Sequence, residues 1–281
     1  MEISEELLGV LSTYGNQEAL HWLSQRIQKL ESDKSVKDLF MTYSILASKF
    51  NADPIAHLNS DKKIIRYLIS QNANYLEIAR IYFLIKILEI DEDFFGPKVS
   101  NIIQVADTGE LVAFLKFLVL LPNPERFKAV AVEALRTNIA TVFDAITLNN
   151  PYPAKYFNDQ QWNQMYLKAA FMERDLSLIL SVDERGNEDL ARIISDYAHE
   201  RWAASRKIDP LFWRPVSKFL NDKLLSDMQH LLNSDNEIEQ RAAVLCCFYS
   251  NNDKAKKLLD KHSNLTKAIK TDKLTWNTIK D

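Results

Sequence analysis

Apolar residues recur at helical spacing through almost the whole chain, and they do not alternate as they would in a half-buried strand. One stripe is formed by Leu20, Leu23, Ile27 and Leu30, and later segments repeat the spacing. Polar or proline-containing corners separate segments of about 10 to 17 residues. The pattern predicts an all-α protein whose helices are joined by short loops.

The spacing of the corners indicates how these helices are arranged. Helix pairs that return about every 40 residues favour stacked helical hairpins, a HEAT/armadillo-like α-solenoid, with a compact multi-helix bundle as the alternative. The clearest hairpin is DNEIEQRAAVLCCFYS followed by NNDKAKKLL, because Ala242 and Ala243 allow close packing. We expect a single domain over residues 1–281, with a subdivision into 1–149 and 150–281 as an option.

The composition supports this fold class and limits the kinds of partner that the protein is expected to bind. Only five glycines occur, which disfavours sandwiches and barrels that need many turns with positive φ. A net charge of −3 gives no general attraction to nucleic acid or to an anionic membrane. Residues 254–281 carry eight lysines against Asp260, Asp272 and Asp281. We expect a solvated basic tail there, with an anionic partner as the alternative.

The cysteines and the apolar runs indicate the cellular compartment in which the protein is expected. Cys246 and Cys247 are adjacent, which is poor geometry for a disulfide and matches no metal-binding spacing, so buried thiols are expected. The segment MEISEELLGVL does not have the pattern of a signal peptide. The longest apolar runs are interrupted by Lys86 or Lys116 and are too short to span a bilayer. We therefore expect a cytoplasmic protein with no transmembrane segment.

Common catalytic signatures are absent from the sequence. It contains no glycine-rich phosphate loop, no His-Glu-x-x-His zinc helix and no Gly-x-Ser-x-Gly nucleophile elbow. No cofactor is predicted.

The stretch NPYPAKYFNDQQWNQM contains two prolines in front of a helix. Pro151 and Pro153 fix their own φ angles and disfavour helical geometry in the preceding residues, so a stiff, extended strut is predicted. Tyr152, Tyr156 and Phe157 give this strut an aromatic surface.

A helix is predicted after the strut. Asn158 is a good N-cap and Gln161 completes a capping-box pattern. Trp162 and Tyr166 share one face, and apolar residues surround Asn163, so the helix should be buried. The amide of Asn163 must then form hydrogen bonds, either with the backbone of the double-proline loop or with a ligand.

A second helix is predicted from Asn187, in RGNEDLARIISDYAHERWAASR. Leu190, Ile194 and Tyr197 form its inward stripe, and a helical wheel places Arg201 at the centre of that stripe. Because a guanidinium remains charged inside a protein, Arg201 should meet a carboxylate, helix-end carbonyls or the anionic group of a ligand.

The opposite face of this second helix carries titratable side chains. His199 is expected to be solvated on a face of alternating charge. Asp196, His199 and Glu200 have spacings that could bring them to one metal ion, which is a weak signal on a single helix.

Three blocks of sequence resemble the C-terminal signature of the EboA-like family of helical proteins over residues 150–215. They are NPYPAKYFNDQQWNQMYLKAAF, DYAHERWAASR and FWRP. The resemblance implies a role encoded in gene clusters for trafficking of small metabolites, such as isoprenoid-related or scytonemin-precursor compounds. It supplies no active site. Tyr166 stands where the family's pattern has a smaller aliphatic residue, and Ser205 stands where it has glycine.

These observations predict a non-enzymatic helical-repeat protein that binds a small metabolite or a partner protein of a trafficking pathway. An anionic, isoprenoid-related compound is one option for the metabolite, and products of the same gene cluster are candidate protein partners. The alternatives are a metal-dependent enzyme acting on the same metabolite and a pure protein–protein scaffold. Candidate ligand-binding residues are Tyr152, Tyr156, Trp162, Asn163, Tyr166, Lys168, Arg201, Trp202 and Arg214.

Overall fold

The computed structural model of the chain describes residues 3–14, 16–55, 58 and 60–280. Their regular structure is helical, and the extended pairing among them is one isolated bridge between Pro54 and Asn74. The all-α prediction is confirmed. The chain forms two compact units, 1–156 and 157–281. The expectation of one domain, with its optional subdivision, stays a prediction.

The first unit contains eleven α-helices in its described part. They are α1 Ile3–Tyr14, α2 Gln17–Asp33, α3 Val36–Ile45, α4 Lys63–Ser70, α5 Tyr75–Ile90, α6 Glu92–Ser100, α7 Ile102–Val105, α8 Thr108–Phe117, α9 Lys128–Ala134, α10 Ala140–Thr147 and α11 Tyr152–Tyr156. Short 3₁₀ segments cover Leu46–Ser48, Leu118–Leu120 and Pro124–Phe127.

Helix α5 lies at the centre of the first unit. It is apolar on nearly all sides, and Ile78, Leu84 and Ile87 are fully buried. It packs against α1, α2, α6 and α8. A solenoid repeat contacts mainly its neighbours in sequence, whereas α1 contacts α5 across several intervening helices, which favours the bundle alternative. The stacked-hairpin arrangement stays a prediction.

Helices α5 and α8 are linked by two ion pairs. Each helix begins with a capping box whose glutamate is buried, Glu77 in α5 and Glu110 in α8. Glu77 accepts from Lys116 of α8 at 2.9 Å, and Glu110 lies 3.9 Å from Arg80 of α5. The two capping glutamates therefore also hold the helices together.

The double-proline loop forms helix α11, so the predicted extended strut is wrong. Asn150 is buried, and its side-chain oxygen accepts from the backbone N–H of Tyr152. Its amide group donates to the carbonyls of Leu115 and Ala145. A proline φ suits the first turn of a helix as well as an extended chain, and the missing N–H of Pro153 costs nothing there.

The second unit contains seven α-helices in its described part. They are α12 Asp159–Phe171, α13 Val182–Arg185, α14 Glu188–Ala203, α15 Asp222–Leu232, α16 Glu237–Tyr249, α17 Asp253–Leu258 and α18 Ser263–Lys270. Short 3₁₀ segments cover Leu176–Leu178, Pro210–Phe219 and Leu259–His262.

Helix α16 forms the core of the second unit. It packs on the 3₁₀ segment Pro210–Phe219, on α15 and on α17. Ala242 and Ala243 are fully buried, as expected for a closely packed hairpin. Cys246 and Cys247 are buried free thiols, which confirms that prediction. Burial raises the pKa of Cys247 to about 12 and that of Cys246 well above its usual value.

Within the described residues, every helix is too short or too polar to cross a bilayer.

Candidate functional site

The candidates Tyr152 and Tyr156 belong to the first unit. Tyr152 is fully buried and its hydroxyl donates to the carbonyl of Pro124 at 2.7 Å. The rings of Tyr152 and Tyr156 lie 4.7 Å apart. These contacts give Tyr152 a structural role in the first unit. The remaining candidates belong to the second unit.

Asn163 is buried and hydrogen-bonded, but its partner differs from both expected ones. Its amide pairs reciprocally with that of Asn187, at 3.1 and 2.9 Å. Asn187 is the N-cap of α14 and accepts from the backbone N–H of Leu190. The pair therefore fixes α12 to the start of α14. The expected ties from Asn163 to the double-proline loop are wrong because the N-cap side chain satisfies the amide instead.

Trp162 and Tyr166 are core residues of the second unit. The guanidinium carbon of Arg185 lies 4.9 Å from the centre of the Trp162 ring. Tyr166 stacks on Phe212 at 5.8 Å, and its hydroxyl donates to the carbonyl of Leu211. Burial raises the pKa of Tyr166 well above its usual value. The two rings position the elements around the cavities described below.

Lys168 is half-buried on α12. Partial desolvation lowers the pKa of its ammonium group.

Arg201 is half-buried at the end of α14, so the prediction that it points into the core is wrong. Its Nε and Nη2 donate to the carbonyl of Lys207, at 3.1 and 2.6 Å. Ser205 explains this geometry because its φ of 53° turns the chain back and brings Lys207 beside the helix end. Of the three predicted kinds of partner, a carbonyl close to the helix end is the one found.

Arg201 lines a cavity of about 360 Å³, named here the Arg201 cavity. Its apolar wall includes Tyr197 and Phe212. Four cationic side chains face two acidic ones, which gives the lining a positive balance. The cations are Arg174, Arg201, Lys207 and Lys280, and the acids are Glu173 and Asp209.

Asp209 is held by Lys280 at 3.1 Å. Arg201 forms no ion pair within the described part of the chain, and its Nη1 donates to no protein atom there. The guanidinium therefore keeps donors for an additional acceptor.

Arg214 lines a second cavity, of about 390 Å³, named here the Arg214 cavity. Its Nε and Nη2 donate to the two carboxylate oxygens of Asp183. Burial disfavours the charge of Arg214, but the hydrogen bonds to Asp183 outweigh this effect and raise its pKa. Aromatic lining comes from Tyr249 and Trp276.

His199 is exposed, as the wheel predicts, but it also contacts a buried carboxylate. Its Nε2 lies 2.6 Å from Oδ1 of Asp227, a residue of α15 that is only 2% exposed. The hydroxyl of Ser195 donates to the other oxygen of Asp227. The spacing of Ser195 and His199 was a visible signal, but the sequence could not show that α15 supplies a carboxylate between them. The buried Asp227 carboxylate therefore connects α14 and α15.

Trp202 belongs to an aromatic cluster next to this group. Its ring lies 5.7 Å from Trp213, 4.2 Å from His230 and 5.5 Å from His199. The candidate Trp202 therefore packs between α14 and α15 and lines neither cavity.

Asp196, His199 and Glu200 do not form a metal site in the structure. Asp196 pairs with Lys223 at 2.6 Å and with Arg192 at 3.3 Å, and these contacts lower its pKa. Groups of three potential metal ligands are absent from the described residues.

The sequence matches the family described as metabolite traffic protein EboA over residues 3–217, which is more than half of the chain. The chain belongs to the EboA family. The resemblance seen over residues 150–215 is thus confirmed and extends to the first unit. No curated protein and no solved structure matches the chain significantly.

The EboA match covers the two cavities differently. In the Arg201 cavity, Lys280 is the lining residue that lies outside it. In the Arg214 cavity, Lys218, Tyr249 and residues 275–277 lie outside it. The Arg201 cavity is therefore built mainly from the EboA-family part of the chain.

Proposed function

We propose that this EboA-family protein binds a small metabolite with an anionic head group in the Arg201 cavity and takes part in metabolite trafficking without transforming its ligand. The proposal rests on Arg201, a permanently charged cavity residue that has no carboxylate partner among the described residues. Guanidinium groups are well suited to binding carboxylates and phosphates through paired hydrogen bonds.

The charge of the lining supports an anionic ligand. Lys280 is paired with Asp209, which leaves Arg201 and Lys207 as cations without a carboxylate partner among the described residues. Arg201 is also oriented, because two of its nitrogens are fixed on the carbonyl of Lys207. An oriented donor loses little conformational freedom when it binds an anion.

The apolar wall supports a ligand with a hydrocarbon body. Tyr197 lies against Phe212 with ring centres 5.2 Å apart, and both rings line the cavity. The volume of about 360 Å³ is at the lower end of the range for small-molecule sites. An isoprenoid-related compound with a phosphate or carboxylate head satisfies both requirements.

The site also suggests a setting for the protein. We also propose a cytoplasmic location, which the buried free thiols of Cys246 and Cys247 support because they suit a reducing compartment. Delivery of a bound metabolite to other proteins of the same pathway would then follow from a carrier role. The described lining residues of the Arg201 cavity include neither a nucleophile–base pair nor a cluster of metal ligands. Such a lining is suited to binding a ligand without transforming it.

Calorimetric titration with farnesyl diphosphate tests the proposal. We expect wild-type protein to bind it, and Arg201→Ala to weaken binding at least about tenfold because a charge-assisted contact is lost. Arg192→Ala is the matched control, because Arg192 lies on the exposed face of the same helix and pairs with Asp189 and Asp196.

Three further outcomes separate the alternatives. Farnesol, which lacks the anionic head, should bind more weakly than the diphosphate. Equal affinity of wild type and Arg201→Ala, with circular dichroism showing intact helices, would overturn the assignment of Arg201. Release of inorganic phosphate during the titration would favour an enzyme instead of a carrier.

A further inference from the structure

We propose that the Arg214 cavity is a second, independent binding site, which takes a small aromatic carboxylate. It shares no lining residue with the Arg201 cavity. The proposal depends on the orientation of Arg214, the charge balance of the lining, and two aromatic side chains.

Arg214 is held with one edge available to a ligand. Asp183 accepts from Nε and Nη2, whereas Nη1 donates to no protein atom in the described structure. The chain approaches closely at this point, because a Cβ on Gly186 would lie 2.7 Å from the carbonyl oxygen of Pro215. This close contact fixes the end of α13, which carries Asp183, beside Arg214. The free donors of Nη1 are therefore presented in one direction.

The charge balance favours a singly charged acid. Arg214 and Lys218 contribute two positive charges and Asp183 contributes one negative charge, so the charged lining sums to one positive charge. Lys218 already donates to the backbone carbonyl of Asp183. The carboxylate of Asp183 would repel a doubly charged phosphate more strongly than a carboxylate. A monoanion is the better match.

The aromatic side chains indicate the body of the ligand. Trp276 is 6% exposed and supplies a fixed wall, whereas Tyr249 is 48% exposed at the cavity. An exposed tyrosine and a buried tryptophan that both line a cavity offer two aromatic rings to a planar group. A phenyl or similar ring between them would shield apolar surface that water now contacts.

The wall that carries Trp276 is already held in place. Thr275 and Thr278 form a hydrogen-bonded turn around it. After this turn, the carbonyl of Ile279 accepts from Arg241, and Lys280 pairs with Asp209. A ligand would therefore enter a largely formed site.

Two-dimensional NMR of the ¹⁵N-labelled full chain tests the proposal with 3-phenylpropionate as the probe. Trp276→Phe identifies the indole N–H signal of Trp276. We expect that signal to shift with a dissociation constant of about 1 mM or below, the range of a fragment-sized ligand. The uncharged 3-phenylpropionamide should bind about tenfold more weakly, because it lacks the carboxylate.

Substitutions in the Arg214 cavity identify the side chains that contact the ligand. Arg214→Lys keeps the charge but loses the planar fork, and it should weaken binding about tenfold. Arg206→Lys is the matched control, since Arg206 is exposed and lines neither cavity. Tyr249→Ala changes an exposed side chain at the end of α16, and it should also weaken binding.

Several results would overturn the proposal. They are no shift of the Trp276 signal, equal shifts with acid and amide, unchanged affinity in both Arg214→Lys and Tyr249→Ala, or tighter binding of inorganic phosphate than of the acid. Arg201→Ala should leave binding of 3-phenylpropionate unchanged, so this site and the one in the Arg201 cavity can fail separately.

Discussion

Ser205 adopts a backbone conformation that is unfavourable for most residues. With a φ of 53°, it lies in the left-handed region at the end of α14. The N–H of Arg206 then reaches back to the carbonyl of Arg201 at 2.8 Å, which closes the helix. Glycine adopts this conformation without steric cost and would therefore suit this position better than serine. The helix end beside the Arg201 cavity therefore carries a small strain.

Replacing Ser205 by glycine should stabilise the protein. The strain of about 1 to 2 kcal/mol is relieved, but a more flexible unfolded chain offsets part of it, so we expect a gain of about 0.5 to 1 kcal/mol in the free energy of unfolding. Urea denaturation measures the change. Ser226→Gly, at an exposed position inside α15, should instead destabilise by about 0.5 kcal/mol. A loss of stability in Ser205→Gly would contradict the strain argument.

Individual side chains show where prediction from sequence ends. The burial and hydrogen bonding of Asn163 followed from the apolar residues around it, and the role of Asn187 as an N-cap followed from the acidic residues after it. The hydrogen-bond partners could not be predicted from the sequence. Turns bring Asp227 and Lys207 to their positions, and a helical wheel does not describe the directions of turns. Arg201 was misplaced for the same reason, since helical phase says nothing about the chain beyond the last turn.

Among the elements, α5 and α8 have the clearest mutual dependence. Each capping glutamate satisfies the backbone at the start of its own helix and pairs with a base on the other helix. Arg80 and Glu110 have side chains that are 5% and 6% exposed. A charge so deeply buried is costly if its partner is removed. Helix initiation and helix packing are therefore coupled in these residues.

Glu110→Gln should destabilise the first unit by about 3 kcal/mol, because it leaves the buried charge of Arg80 without compensation. Glutamine still completes a capping box, so the start of α8 should be kept. Glu89→Gln on α5 is the matched control. Its pair with Lys86 is partly exposed, and its loss should cost less than about 0.5 kcal/mol in the same denaturation experiment. Equal effects of the two substitutions would contradict the coupling.

Helix boundaries were more predictable than local geometry. The N-caps Asn158 and Asn187 marked the starts of α12 and α14 because capping is a short-range effect that the sequence shows directly. The double-proline loop was misjudged because its conformation depends on Asn150, whose amide binds carbonyls of α8 and α10. Carbonyl groups far away in the sequence thus decide between the helical and the extended geometry, both of which proline permits.

At the scale of the molecule, composition was sufficient for the fold class. Scarce glycine and continuous helical spacing excluded β architectures, and the described residues contain no strand. Neither cavity could be foreseen, since each combines segments far apart in sequence. Residues 275–280 supply Trp276 to one cavity and Lys280 to the other. The basic composition of the tail gave no hint of this contribution.

The adjacent thiols of α16 are buried, so the rate at which they react measures how often the second unit opens locally. Burial favours their neutral form, so this contribution to stability is complete below about pH 8.5, the pKa of an unfolded thiol, and is lost as the pH rises towards the folded values. We expect iodoacetamide to alkylate the native protein far more slowly than the urea-unfolded chain, as mass spectrometry can follow. Equally fast labelling of both would mean that α16 is not held in the core. If labelling is slow, its rate measures how often that helix leaves its neighbours, with no probe added to the chain.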